Sequence, residues 1–143
     1  YQQVIIEHSK RPRNFRKTED ATHMAEGHNP LCGDRLTIYL KVSKERIISA
    51  ISFEGDGCSI ARASTSMMTV ALENKSVDEA RFLFEGFHNL ILGCPKTGEE
   101  EKRLGKLKIF SGIWQYPSRV KCASLSWHIM KGALDKKTRD FRQ

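Results

Sequence analysis

The sequence predicts an α+β domain: a small three-stranded antiparallel sheet with about five helices packed on one face. Three observations lead there. Leu36, Ile38, Leu40 and Val42 alternate with Thr37, Tyr39 and Lys41, the period of a half-buried strand. A second strand, Ile47 to Phe53, follows after only the charged turn Lys44-Glu45-Arg46, and so short a connection makes the pair antiparallel. From Ser59 onward the apolar period becomes helical, and strands followed by helices give the α+β layer arrangement.

Taken in order, Tyr1 to Ser9 reads as a short amphipathic helix whose apolar patch is Val4, Ile5 and Ile6. Pro12 and its basic neighbours end it. Ala21 to Ala25 is the remaining strand, stopped by Glu26-Gly27. In the strand Ile47 to Phe53, Ile47, Ile51 and Phe53 share a face. Ser59 to Leu72 is a helix with Ile60, Ala63, Met67 and Val70 or Ala71 on its apolar side, and Asp78 to Phe87 is another. Gly93 to Gly98 and the charged run Glu99 to Arg103 read as loop. A short helix follows over Leu107 to Ile113, closed by Tyr116-Pro117. The last helix spans Arg119 to Leu134, with Val120, Trp127, Met130 and Leu134 inward. No repeat or linker divides the chain, so residues 1–143 are expected to form one domain.

Composition excludes several classes. An apolar fraction of 39% and a charged fraction of 29% are ordinary for a soluble globular protein. No apolar run approaches the roughly 20 residues that span a bilayer, and nothing looks like a signal peptide, so no membrane partner and a cytoplasmic location are expected. The net charge of +7 invites a nucleic-acid reading. Yet the basic residues are spread over Lys10 to Lys17, Lys102 to Lys108 and Lys136 to Arg142, with acidic residues among or beside the last two groups. No aromatic-interleaved stripe or reader motif accompanies them, and a basic surface for an acidic protein fits better than nucleic acid. The four cysteines contain no C-x-x-C pair, which disfavours a zinc knuckle, and are too few for a disulfide scaffold.

Three of the cysteines carry the chemistry. Cys32 lies in Asn29-Pro30-Leu31-Cys32-Gly33-Asp34, Cys58 in Gly55-Asp56-Gly57-Cys58-Ser59, and Cys122 in Arg119-Val120-Lys121-Cys122-Ala123. Each sits at a turn or a helix start beside a charge, where a thiolate is favoured, and the predicted layers bring all three to one end. Cys32 and Asp34, two apart in an extended segment, point the same way. A helix start is expected to favour a thiolate at Cys58, and Cys122, placed in the first turn of the last helix beside Lys121, is expected to gain the same help twice. Three thiolates and one carboxylate complete a tetrahedral set for zinc. The charge left over is offset by Lys121, Arg35 and Arg62. Asp34, a hard ligand among soft ones, is the one expected to leave most easily. Cys94, in a Gly-Cys-Pro loop, is left out of the set. His128 is turned away from Cys122 by helical geometry, and His8, His23, His28 and His88 read as surface or satisfied residues.

These motifs, with Gly-Asp-Gly-Cys-Ser-Ile-Ala-Arg-Ala-Ser-Thr-Ser-Met-Met-Thr at 55–69, Tyr-Pro-Ser-Arg-Val-Lys-Cys-Ala-Ser-Leu-Ser-Trp at 116–127 and His-Ser-Lys-Arg-Pro-Arg-Asn at 8–14, resemble the SufU/IscU family of iron–sulfur cluster assembly proteins. The resemblance runs from Tyr1 to about Leu134. Two features are similar to the SufU branch: Lys121 stands where IscU-type scaffolds have His, and the segment at about 93–106 looks like the extra SufU loop insertion. The resemblance implies a SufU/IscU-like fold and a metal site of Cys32, Asp34, Cys58 and Cys122. It implies a zinc-dependent sulfurtransferase, a sulfur carrier more than a conventional turnover enzyme. Such a protein takes persulfide sulfur from a SufS-like cysteine desulfurase, with Cys32 as acceptor, and passes it to a SufBCD-like assembly complex or apo-proteins. The alternatives are a scaffold holding iron in a transient [2Fe–2S] cluster and, more weakly, a zinc-stabilised adaptor. Arg119, Lys121 and the charged stretch Glu99 to Lys108 are the docking candidates, by nearness to the site.

Overall fold

In the computed structural model, residues 2–94 and 98–135 are described. Their order is α1 (Gln2–Lys10), β1 (His23–Asn29), β2 (Asp34–Val42), β3 (Ile48–Asp56), α2 (Ser59–Leu72), α3 (Val77–Ile91), α4 (Gly98–Leu104) and α5 (Pro117–Leu134). Two 3₁₀ turns, Gly105–Phe110 and Ile113–Gln115, join α4 to α5. The basic tail from Lys136 to Arg142, and Pro95 to Thr97 of the predicted loop, lie outside the described residues.

The sheet is antiparallel in the order β1-β2-β3. Ala25 faces Ile38, Ile38 faces Phe53 and Leu40 faces Ile51, and these side chains form a buried inner surface. The residues between them, Arg35, Thr37 and Lys41, look outward as strand alternation requires. α5 crosses the inner side of β1 and β2 and packs on α2. Trp127 of α5 stacks on Phe87 of α3 at 4.6 Å between ring centroids, and Phe110 meets the same ring edge-on at 5.6 Å. Ser64 locks α2 to α5: its hydroxyl donates to the Ala123 carbonyl at 2.6 Å and accepts the Trp127 indole N–H at 3.2 Å. Among the described residues no helix is long and apolar enough to cross a membrane.

Several expected boundaries move, each for a physical reason. The first strand does not stop at Glu26-Gly27; pairing with β2 carries it from His23 to Asn29. Gly27 admits α5, since a Cβ there would lie 2.7 Å from the Ile129 side chain. Ile47 does not share a face with Ile51 and Phe53. The register shifts between Lys41 and Val42, and Ile48 is the buried residue. Residues 98–104 are helical, where a loop was expected. Glu99, Glu100 and Glu101 fill the first turn of α4 and Lys102 and Arg103 its last, the distribution a helix dipole favours. Glu100 is buried against Gly86 and accepts from the Asn89 amide at 3.3 Å. The expected short helix over Leu107 to Ile113 is instead the two 3₁₀ turns. α5 begins at Pro117, which suits a first helical position because it needs no N–H partner.

Candidate metal centre

Asn29 builds the turn that carries Cys32. Its carbonyl accepts from the N–H of Cys32 (3.2 Å) and of Gly33 (2.9 Å), and its side-chain Oδ1 accepts from Leu31 N–H (3.2 Å). Gly33 has φ of +73°, a left-handed conformation that costs glycine nothing. Leu31 is left 74% exposed and Cys32 is exposed beside it. The chain then enters β2 with Asp34 pointing inward, 1% exposed. Cys58 caps α2: its sulfur accepts from Ala61 N–H at 3.5 Å, while its own N–H donates to Asp34 Oδ1 at 2.8 Å. Cys122 reaches the same place from α5, with its sulfur 3.0 Å from that of Cys32.

One ligand atom each from Cys32, Asp34 and Cys122 lies within 4.8 Å of the others. Cys58, the fourth expected ligand, is not within that group; it adjoins it through its backbone N–H bond to Asp34 Oδ1. Asp34 Oδ2 is buried with no hydrogen-bond partner among the described residues. A buried carboxylate oxygen beside the thiols of Cys32 and Cys122, with Cys58 adjoining, is a donor set that could hold a metal ion, and its chemistry fits zinc or iron. Burial, then the hydrogen bond to Cys32 and the nearby Cys58 thiol, push the Cys122 thiol well up from its ordinary pKa.

The supporting charges are placed less simply. Cys122 lies in the second turn of α5, because the helix starts at Pro117, so the expected first-turn assistance is absent and burial dominates its protonation. Arg35 neighbours Asp34 in sequence but lies on the opposite face of β2. Arg62 donates from Nε to the Ser9 carbonyl at 3.0 Å and lies over the Phe15 ring, tying down the end of α1. Lys121 and Arg119 are exposed on α5, flanking Cys122 in sequence. Arg119 also lines an open cleft of about 270 Å³ with Ile6, Ile60 and Tyr116. Cys94 is exposed near the Leu92 carbonyl and takes no part in the group. His128 packs edge-on against Phe84 and His88. Sequence reasoning missed the role of Asn29 in shaping the turn, although an Asn-Pro start is itself a turn signal.

The NifU-like N-terminal domain profile matches residues 1–123. The chain belongs to this family. Among its relatives, the zinc-dependent sulfurtransferase SufU of Bacillus subtilis is 36% identical over 136 residues, 95% of this chain and 90% of that protein. The iron–sulfur cluster assembly scaffold protein IscU of Streptococcus pyogenes is 35% identical over 134 residues, covering 94% and 82%. The crystal structure of FiSufU from Fervidobacterium islandicum superposes with a TM-score of 0.87 at 34% identity, covering 94% of this chain and 96% of that one. The SufU/IscU resemblance and the expected α+β fold therefore hold over nearly the whole chain.

Proposed function

We propose that this NifU-like domain is a zinc-dependent sulfur carrier in iron–sulfur cluster assembly, with Cys32, Asp34, Cys58 and Cys122 as its metal ligands and Cys32 as the sulfur acceptor. The observation that carries the reading is the division of access within one cluster. Cys122 and Asp34 are buried, whereas Cys32 stands on an exposed turn within reach of both. Bound zinc would hold the thiols deprotonated at neutral pH.

The chain's own residues then divide the work. Asp34, Cys58 and Cys122 anchor the site from β2, α2 and α5. Cys32 meets the partner. Its thiolate attacks the terminal sulfur of a persulfide on a SufS-like cysteine desulfurase; the donor's S–S bond breaks, a new S–S bond forms on Cys32, and the donor cysteine leaves as a thiolate. The sulfur then passes to a SufBCD-like complex. Exposed Arg119 and Lys121 supply positive charge on the neighbouring stretch of α5. Lys121 in place of the IscU-type His supports this branch, as does the 36% identity to SufU.

The near-equal similarity to an IscU supports a second reading, in which the same thiols carry a [2Fe–2S] cluster as cargo. Turnover of a cysteine desulfurase, with and without the zinc-loaded protein under reducing conditions, separates the two. Strong stimulation that vanishes in Cys32→Ala is the expected result. No stimulation, with a cluster that assembles on the protein and passes to an apo-protein, would establish the scaffold instead.

A further inference from the structure

Among the described residues, four buried side-chain polar atoms have no hydrogen-bond partner, and two of them are Asn29 Nδ2 and Asp34 Oδ2. Asn29 and Asp34 are register partners, directly opposite each other across the β1–β2 ladder. Residues so paired have Cβ atoms about 4.5–5.5 Å apart on the same face of the sheet, a separation that side-chain rotation can close. Their other polar atoms are engaged. Asn29 Oδ1 holds Leu31 N–H and the Asn29 carbonyl holds Cys32 and Gly33, while Asp34 Oδ1 holds Cys58 N–H. An amide donor and a carboxylate acceptor thus stand on residues opposite each other in the ladder, each without a hydrogen-bond partner among the described residues.

We propose that Asn29 is a positioning residue for Asp34: its Nδ2 amide receives Asp34 Oδ2 when the carboxylate moves off a bound ion. The inference rests on the metal-site reading above. Release of a buried carboxylate is unfavourable when nothing replaces its ligand. A waiting N–H donor removes that penalty, so Asn29 sets how readily the site opens. Holding the turn under Cys32 and receiving Asp34 couples the arm that accepts sulfur to the ligand that lets go.

The test is zinc transfer from the loaded protein to a chelator in excess, followed by absorbance. Asn29→Ser keeps a short acceptor for the Leu31 N–H but has no donor that reaches Asp34. It should slow transfer about tenfold, the scale of one hydrogen bond to a charged group. Asn29→Asp, isosteric and able to keep the Leu31 contact, should slow it too. In an Asp34→Ala background neither substitution should change the rate. An unchanged or faster rate in the single variants overturns the proposal. Equal slowing with and without Asp34 does the same, because the effect then runs through the turn alone. Independently, the Asn29 side-chain amide protons of the metal-free protein should be protected from solvent exchange and lose that protection in Asp34→Ala; identical protection in both overturns it. A wild-type protein that holds no zinc removes this inference and the metal reading together. Zinc bound by the thiols with exchange indifferent to Asn29 removes only this inference.

Discussion

Cys32 and Cys122 share a site but differ in access, and their reactions should differ accordingly. With metal removed and at mildly alkaline pH, alkylation read by mass spectrometry should modify exposed Cys32 and Cys94 at least about tenfold faster than Cys122, whose thiol is both buried and held protonated. Comparable rates at Cys32 and Cys122 would contradict that placement. Asp34 makes a second residue-scale prediction. Asp34→Ala loses the bond to Cys58 N–H, worth about 1–3 kcal/mol when a buried donor is left unpaired. The variant should stay folded, melt a few degrees lower, and give up zinc to a chelator faster than wild type. An unfolded variant would make Asp34 a keystone of the fold in place of an exchangeable ligand.

At the scale of elements, the thiol site depends on how strands and helices meet. Gly55, near the end of β3, has φ of +126°, and a Cβ there would lie 2.1 Å from the Arg35 carbonyl oxygen. Gly55→Ala should therefore destabilise by more than about 1 kcal/mol and disturb the approach to Cys58, read as a lowered urea midpoint. The α3–α5 seam makes a pH prediction. His128 lies 5.2 Å from Phe84 and 5.7 Å from His88 between ring centroids, and desolvation by that packing, then the His88 and Lys131 charges, holds its pKa below the usual histidine value. His8 is lowered likewise, by burial and then by Arg13. A base with a depressed folded pKa is proton-poor in the native state, so stability is complete above the unfolded value near 6.5 and falls as pH drops below it. The urea midpoint should be lower at pH 5.5 than at 7.5, and His128→Gln should shrink the difference. Legibility also varied by element. β2 announces itself because its alternation is complete, whereas β1, His-Met-Ala-Glu-Gly-His-Asn, has little alternation and is drawn out by its partner strand. α4 looks like solvated charge until Gly86 makes room for Glu100. The settings of Cys32 and Cys58 were readable because turns and caps are local, whereas that of Cys122 depended on where α5 begins. The fate of Arg62 was not, since it is decided by where α1 ends up, some fifty residues away in sequence.

For the whole molecule, the hydrophobic core and the thiol cluster are separate sources of stability. Leu36, Phe53, Phe87, Trp127 and Met130 bury a continuous interior without help from the cysteines. Chelation should consequently leave a folded protein with a lower melting temperature, restored by zinc as binding linkage requires. Loss of all structure on chelation would instead favour the zinc-stabilised adaptor. The order of layers was legible because it follows from strands preceding helices, and the meeting of Cys32, Asp34 and Cys122 follows from that order. The 3.0 Å between the sulfurs of Cys32 and Cys122 has one more consequence. A mild oxidant acting on the metal-free protein should weld them into a crosslink that closes a loop of about ninety residues, and long closed loops restrain the denatured chain most. Material handled without reductant should then be two mass units lighter, harder to melt and unable to accept sulfur, so the sturdiest preparation is the inert one.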